Sequence, residues 1–357
     1  MITDKVLIVH DYLLKKNEGG PRGYYYKCLH NNLPENVKSL KEEANNLGNI
    51  SVIKKIQIRF DRLSGRKYKN KLLANNLIKV PKYKYLYFHD MHSFKDAEHL
   101  ITKDQVIIYQ SHSPELPSEE EEKLGATGDK LASIKKLEQR VFGRANVLIL
   151  PNQGCLPIYE SVIKKQHKIL YIPTGIKSIE ASFTYPIVQD DFVNILYIGR
   201  RNQIKGFDVL IDNFKKAVIN RKDIRLFIIG GGDSIMSENI VDIGFSSNVY
   251  SWIKSVDFVI STNEKSYFDL NILETIALGT PLLMTTTEGH SYFKNKSGII
   301  SFTQKNLGDL LNDTKIITKS YKKENQDNLL DLYKNELSDM VFNKNIENTI
   351  NEFLNRY

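Results

Sequence analysis

Short runs of apolar residues alternate with longer polar or amphipathic stretches along most of the chain. The runs predict strands, because each is short, rich in Val, Ile, Leu, Tyr and Phe, and followed by a turn or a polar residue. They lie within residues 5–13, 84–90, 104–115, 146–152, 167–176, 195–199, 225–232 and 255–265. Strands separated by helical stretches are typical of parallel α/β sheets, which is therefore the predicted fold class.

The stretches between these strands carry helix signals. Gly19, Gly20 and Pro21 predict a loop after the first strand, followed by a helix over residues 22–33. Ser118 with Glu121 reads as a capping box that opens a helix over 118–123. The tail, residues 304–357, is predicted to be rich in helix.

The length of 357 residues and a hydrophobic content of 41% suit two domains, each with its own core. We expect an N-terminal domain over residues 1–175, a C-terminal domain over 176–335 and a final helix over 336–357. The polar segment around 176–192 is the expected crossing between the domains.

Cysteine content and hydropathy bear on the compartment. Cys28 and Cys155 are far apart in the sequence, which predicts no disulfide framework and a reducing compartment. No apolar run reaches the ~18–20 residues that span a bilayer, and the N-terminus resembles a core strand rather than a signal peptide. A cytoplasmic protein is the expectation.

The segment ILYIGRRNQIKG, residues 195–206, is the most informative stretch for chemistry. It predicts a strand that ends at Gly199, a turn with Arg200, and a helix that opens after Lys205. Guanidinium and ammonium groups beside a helix N-terminus form an anion site, and glycine lets the backbone approach a ligand closely. The alternative is an ordinary basic turn whose cations are solvated.

The second informative segment, residues 266–281, predicts a short helix. Asp269 lies where an N-cap belongs, Glu274 follows in the first turns, and Gly279 with Pro281 ends the helix. A carboxylate near a helix N-terminus suits the hydroxyls of a nucleotide sugar. Alternatively, Glu274 serves only as a favourable partner of the helix dipole.

Read in this order, the two segments resemble the retaining glycosyltransferases of the GT-B fold, of the large family 4 type. That family reads G-R-x-x-x-x-K-G and then E-x7-E-A-x-A-x-G-x-P, and this chain has Gly199-Arg200, Lys205-Gly206, and Glu274 through Pro281 at the matching places. The resemblance covers most of residues 193–300. It implies two Rossmann-like domains that face each other across a cleft, with a C-terminal helix that crosses back.

The resemblance also implies a role for each matching residue. Arg200 and Lys205 are the expected partners of the donor diphosphate, and Glu274 of the ribose hydroxyls. The backbone N–H groups of Leu270, Asn271 and Ile272 are expected to face the distal phosphate.

In the N-terminal half, the resemblance implies that Gly19 and Gly20 lie at the acceptor and phosphate side. His112, which follows the apolar run VIIYQS, would face the donor sugar, so Arg200, Lys205 and His112 are the candidate catalytic residues. The alternative for His112 is a loop histidine without a role in chemistry. His89 and His92 are expected to be structural, and the spacing of these histidines fits no metal site.

Two positions depart from the family pattern. Ser266 stands where the first Glu of E-x7-E contacts the donor sugar, and Asp269 stands where the family has Gly. These departures leave open a GT-B subunit without catalysis that binds a nucleotide sugar for a partner enzyme. A nucleotide-sugar epimerase of the same fold is a further alternative, although the family 4 motifs match more closely.

Basic residues are concentrated between Lys54 and Lys84, where eleven Lys or Arg accompany a single acid, Asp61. Leu72, Leu73, Leu77 and Ile78 give this segment an apolar stripe. Such a helix can lie on an anionic membrane surface, which would suit a lipid-linked acceptor. Packing of the apolar stripe on its own sheet is the alternative, and no nucleic-acid motif accompanies the charge.

The sequence therefore predicts a metal-independent, retaining hexosyltransferase. The expected donor is a nucleoside diphosphate sugar, in the first place a UDP-sugar, and no cofactor is expected. The expected acceptor is a glycan or a lipid-linked glycan of cell-surface polysaccharide synthesis. The expected location is the cytoplasm, including the inner face of the membrane if residues 54–84 bind lipid.

Overall fold

The computed structural model describes residues 3–10, 20–29, 33–40, 81–186, 191–235 and 237–354. The chain forms two compact units. The first comprises residues 1–150, 158–172 and 343–357, and the second comprises residues 151–157 and 173–342. Over the described ranges, no helix combines the length and the apolar character needed to cross a bilayer.

The first unit is built on a parallel sheet. Its described strands are β1 (Thr3–Val9), β2 (Val37–Ser39), β3 (Tyr83–Phe88), β4 (Val106–Tyr109), β5 (Val147–Leu150) and β6 (Lys168–Tyr171). They lie in the order β2-β1-β3-β4-β5-β6, and every pairing between them is parallel. The central strands are buried almost throughout, as expected of strands covered on both faces.

Helices accompany this sheet. The described ones are α1 (Gly20–Tyr24), which continues as a π-helical turn over Tyr25–Leu29, then α2 (Met91–Ala97), α3 (Pro117–Lys123) and α4 (Gly128–Arg144). Helix α4 buries Leu137, Val141 and Phe142 at helical spacing, and the Phe142 ring meets the Tyr109 ring of β4 edge to face at 5.2 Å. An apolar stripe on the helix thus covers one face of the sheet.

The second unit repeats the same plan. Its described strands are β7 (Val193–Ile198), β8 (Ile224–Ile229), β9 (Ile240–Gly244), β10 (Phe258–Ser261), β11 (Leu282–Thr285) and β12 (Ile299–Phe302). The strand order is β12-β11-β10-β7-β8-β9, and all pairings between these strands are parallel. Strand β7 lies between β10 and β8, with Ile195 opposite Phe258 on one side and Leu226 on the other.

The helices described in this unit are α5 (Phe207–Asn220), α6 (Val249–Ser255), α7 (Leu270–Ala277), α8 (Leu307–Asn312), α9 (Ser320–Leu332) and α10 (Asp339–Leu354). Helix α5 buries Leu210, Phe214 and Ala217 against the core that Ile195 and Leu226 share. Residues 343–354, the greater part of α10, belong to the first unit. Two Rossmann-like domains with a last helix shared between them confirm the predicted fold class.

Three local predictions differ from the structure. Strand β1 ends at Val9 and β4 at Tyr109, so both are shorter than their apolar runs suggested. Helix α3 begins at Pro117, one residue before the predicted N-cap; Ser118 lies inside the helix and its hydroxyl donates to Glu138 Oε1 at 3.0 Å. Residues 151–157 belong to the second unit, where Asn152 Nδ2 donates to the Gly289 carbonyl at 2.8 Å.

Candidate functional site

In the second unit, glycines at the carboxyl ends of two neighbouring strands let their turns pack closely. Gly199 follows β7, and Gly230 follows β8 with a φ of 155°. A Cβ at Gly230 would lie 2.0 Å from the Gly199 carbonyl oxygen, which no other residue could accept. In folds of this kind, ligands bind at the carboxyl edge of the parallel sheet, which is where these two turns lie.

The two arginines after Gly199 have opposite environments. Arg200 is exposed, and Tyr197 Oη donates to its carbonyl oxygen at 2.6 Å. Arg201 is buried, and its guanidinium binds both carboxylate oxygens of Asp242, at 2.8 and 2.5 Å. Arg201 also donates to the Gly230 carbonyl at 2.9 Å. Arg201 therefore holds the turns together, whereas Arg200 presents its charge to solvent.

Lys205 and Gly206 dock onto the chain that leaves β10. Thr262 Oγ1 donates to the Lys205 carbonyl at 2.9 Å, and the Glu264 N–H donates to the Ile204 carbonyl at 2.9 Å. Gly206 has a φ of +61°, and a Cβ there would lie 2.1 Å from the Thr262 carbonyl oxygen. The second glycine of the motif is therefore required both by its backbone conformation and by this close approach.

This docking brings the first motif to the start of the second. The Lys205 Nζ donates to Asp269 Oδ2 at 2.7 Å, and Asp269 is the N-cap residue of α7. The Asp269 side chain makes no capping bond, although its position as N-cap was predicted. Burial raises the pKa of Asp269, but Lys205, His290 and Asn263 together outweigh burial and lower the pKa to about 2.

Helix α7 is anchored to the end of β7 by the Asn271 amide, which donates to the Ile198 carbonyl at 3.2 Å. The N–H groups of Leu270 and Asn271 lie in the first turn, where a helix supplies no acceptors of its own. Ile272 N–H, by contrast, donates to the Asp269 carbonyl at 3.1 Å. The N–H groups that were predicted to face a phosphate thus follow Asp269, the partner of Lys205. The Ile272 N–H already has a hydrogen-bond acceptor within the protein.

Glu274, the predicted ribose partner, lies one turn further along α7. Its side chain is buried, and Oε1 accepts a hydrogen bond from Tyr250 Oη at 3.2 Å. Tyr250 belongs to α6, which begins just beyond the end of β9. Tyr250 could not be identified from the sequence, because only the tertiary fold places it beside Glu274.

Ser266 is buried and holds a neighbouring turn. Its hydroxyl donates to the Thr287 carbonyl and accepts from the His290 N–H, and its own N–H donates to Glu288 Oε2 at 2.9 Å. Glu288 has a φ of +32°, which is unusual for a residue with a side chain. Ser266, which stands where the family has its first motif Glu, therefore stabilises a turn. The carboxylate that contacts Ser266 belongs to Glu288.

In the first unit, three histidines follow three neighbouring strands at their carboxyl ends: His10 after β1, His89 after β3 and His112 after β4. His89 Nδ1 and His112 Nε2 are 3.1 Å apart, and the Tyr24 ring lies 4.1 Å from the His112 ring. His10 was not among the predicted site residues, although its position directly after a buried strand is a signal that could have identified it.

Burial gives the imidazoles of His89 and His112 low pKa values. Burial lowers the pKa of His112 to about 3, and burial with the proximity of His112 lowers the pKa of His89 well below the ordinary value. Both rings are therefore neutral near pH 7. His92, by contrast, is exposed on α2. In the described part of the chain, no three His, Cys, Asp or Glu side chains are arranged as metal ligands.

Some predicted features fall partly or wholly outside the described residues. Gly19 is one of these, whereas Gly20 is the first residue of α1. The basic segment lies outside the described residues as far as residue 80. The two cysteines, Cys28 and Cys155, are buried and are not joined by a disulfide.

Comparisons with known proteins agree with this architecture. Residues 193–313 match the sequence model of the family "Glycosyl transferases group 1". The chain is also 30% identical over 115 residues to an uncharacterized glycosyltransferase of Methanocaldococcus jannaschii, a match that spans 29% of each protein.

Solved structures extend the likeness to nearly the whole chain. The structure of Anabaena HepE in complex with UDP and glucose aligns with a TM-score of 0.61, covering 98% of this chain and 100% of that one at 14% identity. The trehalose-6-phosphate synthase OtsA aligns with a TM-score of 0.65, covering 99% of both chains at 12% identity. The chain has the GT-B fold, with two Rossmann-like domains.

Proposed function

We propose that this protein is a retaining glycosyltransferase of the family 4 type, which transfers a hexose from a nucleoside diphosphate sugar to a hydroxyl group of the acceptor. One observation carries the proposal. The Lys205 ammonium lies 2.7 Å from the N-cap residue of α7, so the two sequence motifs form one anion site at the carboxyl edge of the second sheet. The family match over residues 193–313 supports the same assignment.

The residues of this edge suit a nucleoside diphosphate. Arg200 and Lys205 supply cations, and the first turn of α7 supplies N–H groups that favour anions. Glu274 and Tyr250 form the hydrogen-bonding pair expected to meet the ribose. The HepE complex with UDP makes a uridine nucleotide the first donor to test.

In the proposed reaction, the bond between the anomeric carbon and the diphosphate breaks while the acceptor oxygen forms the new glycosidic bond. The diphosphate gains negative charge as it leaves, and the preorganised cations and N–H groups stabilise that charge. We infer attack from the same face as the leaving group, so the configuration is retained. The departing phosphate then takes the acceptor proton.

In this proposal His112 faces the donor sugar. Its ring is held by His89 and is neutral, so it binds a hydroxyl group by hydrogen bonding rather than by charge. We further propose that turnover needs no metal, because Arg200 and Lys205 supply the positive charge. Loss of activity in EDTA that Mg²⁺ or Mn²⁺ restores would contradict this.

The acceptor is proposed from the sequence alone. The eleven basic residues between Lys54 and Lys84 would bring the protein to an anionic membrane surface, where lipid-linked glycans of polysaccharide synthesis are found. Flotation with vesicles of anionic lipid at low salt is the test. Absence of the protein from the vesicle fraction would remove the membrane proposal and leave the transferase proposal intact.

A non-catalytic subunit is the second candidate, and the environment of Ser266 favours it. The hydroxyl of Ser266 is committed to the turn at Thr287 and His290, so position 266 offers no carboxylate to a sugar. Such a subunit would still bind the nucleotide. Copurification with a second glycosyltransferase and no turnover alone would support it.

Thermal stability with a panel of UDP-, GDP-, ADP- and TDP-sugars, measured without metal, tests the donor site directly. A ligand at about 100 times its Kd adds ~2.7 kcal/mol to the folded state and raises Tm by several degrees. We expect one nucleotide to stabilise the protein, Glu274→Gln to reduce the shift, and the exposed control Glu264→Gln to preserve it. No shift with any nucleotide would contradict the proposed function.

A further inference from the structure

Lys205, which the proposed function assigns to the donor phosphate, is already paired with a carboxylate of the protein, that of Asp269. Lys205 Nζ donates to Asp269 Oδ2 at 2.7 Å, and Asn263 Nδ2 donates to the same oxygen at 2.7 Å. His290 Nε2 lies 3.5 Å from that oxygen as well. One carboxylate oxygen thus gathers three nitrogen-bearing side chains at the start of α7.

These partners differ in how firmly they are held. Asn263 is buried and its carbonyl accepts from Thr285 Oγ1 at 2.6 Å, and His290 is fully buried. The Lys205 and Asp269 side chains keep about a fifth of their surface exposed, at 19% and 22%. Lys205 can therefore turn toward a ligand, while the hydrogen bond from Asn263 keeps the Asp269 carboxylate in place.

Protonation does not remove this carboxylate near neutral pH. The pKa of Asp269 is about 2, because Lys205, His290 and Asn263 together outweigh the cost of burial. A diphosphate that binds at the N-terminus of α7 therefore meets a negative charge on the N-cap residue. It also has to take Lys205 from its existing partner.

We propose that Asp269 is an internal counterion that competes with the donor's phosphates for Lys205 and so sets the affinity of the site for nucleoside diphosphates. This inference rests on the proposed function. Lys205 binds Asp269 in the empty site and turns to phosphate in the occupied site. The competition weakens binding of the diphosphate, both for the donor and for the nucleoside diphosphate product.

The competition has a signature that a purely structural role lacks. The competition lowers the affinity only for ligands whose phosphates bind at α7, and it does not change the affinity for a nucleoside without phosphates. Removing the charge of Asp269 should therefore change the affinity for UDP and leave the affinity for uridine unchanged.

The test is calorimetric titration of the full chain with UDP and with uridine. Asp269→Asn preserves the shape of the side chain and removes its charge. We expect it to bind UDP about tenfold more tightly than the unaltered protein, since Lys205 then has no carboxylate partner to leave. Asp208→Asn removes the same charge from the exposed first turn of α5, and we expect a change of at most about twofold to threefold.

A double-variant cycle assigns the effect to Lys205. Lys205→Met should weaken UDP binding, and Asp269→Asn should give no comparable gain when it is added to Lys205→Met, because the cation for which they compete is absent. Asp269→Gly, which introduces the residue typical of the family, serves as an independent variant. Circular dichroism and Tm establish that each variant is folded.

The outcomes separate this inference from the function on which it rests. If the unaltered protein binds UDP and both Asp269 variants bind it with the same or lower affinity, the counterion role is wrong and the donor site stands. A gain that is equal for uridine and UDP would also overturn the role. If neither the unaltered protein nor the variants bind UDP, GDP or ADP, the proposed function fails together with the inference.

Discussion

The two units place different chemistry at the same edge of the same kind of sheet. In the second unit the carboxyl ends of the strands carry Arg200 and Lys205 beside the first turn of α7. In the first unit the corresponding ends carry His10, His89 and His112, surrounded by tyrosine rings. One edge is charged and partly open to solvent, whereas the other is largely buried and holds His89 and His112 as neutral rings.

This difference shows that the same kind of sheet can present two kinds of binding chemistry. Cations and helix N–H groups bind phosphate, whereas neutral imidazoles bind hydroxyl groups without attracting anions. The low pKa values of His89 and His112 follow from burial, so the neutrality of the first edge is built into its packing. The four predictions below test this comparison, beginning with the largest expected effect.

Arg201→Ala should cost about 3–5 kcal/mol in the free energy of unfolding, because it leaves the buried Asp242 carboxylate without its cation. The neighbouring variant Arg200→Ala should change stability by less than about 0.5 kcal/mol, since Arg200 is exposed. Urea denaturation of both variants provides the measurement. Equal stability losses would show that the two arginines do not have separate roles.

Arg200→Ala and Lys205→Ala should each lower kcat/KM by ~10²-fold, because each removes a charge that stabilises the leaving diphosphate. Lys215→Ala, which removes an exposed cation from α5, is the control and should leave kcat/KM within about twofold. The measurement is steady-state turnover with the stabilising nucleotide sugar. Near-normal kinetics in both variants would contradict the role of the charged edge.

His112→Gln should lower kcat about tenfold and leave the Kd for UDP unchanged, because the neutral edge is proposed to bind the sugar through one hydrogen bond. His92→Gln is the matched control, since His92 is an exposed histidine of the same unit. The measurements are kcat from steady-state kinetics and the Kd for UDP from calorimetry, for both variants. A loss of UDP affinity in His112→Gln would place the histidine at the nucleotide instead.

The smallest effect concerns pH. The pKa of His112 is about 3 and that of His290 about 4, both below the unfolded value near 6.5, so the unfolded chain binds more protons below that pH. Stability is therefore fully present above pH 6.5 and falls as the pH decreases. Each histidine should remove about 1 kcal/mol between pH 7 and 5.5.

Urea denaturation at pH 7 and 5.5 checks the pH effect. His112→Gln should shrink the pH-dependent loss by the contribution of that histidine, whereas His92→Gln should leave it unchanged. An identical loss in both variants would mean that His112 is not held neutral by burial.

Local pattern was sufficient for eight of the twelve described strands and for the two motif segments, whereas β2, β9, β11 and β12 were not predicted. Gly199 and Gly206 were predicted from a strand exit and a helix start. In the structure a Cβ at Gly206 would meet the Thr262 carbonyl, and the Gly199 carbonyl lies where a Cβ at Gly230 would be. The environment of Arg201 could not be predicted in this way. Its partner Asp242 is on β9, two strands away from β7, and no local pattern distinguishes Arg201 from Arg200.

The sequence by itself determined the alternation of strands and helices, the two-domain architecture and the positions of the two motifs, because these depend on spacing along the chain. Tertiary structure alone decided which charges are available. It paired Lys205 with Asp269, committed Ser266 to the turn at Thr287, and stacked His112 beside His89. Burial and partner choice join residues that are distant in sequence, and their energies depend on distance in space.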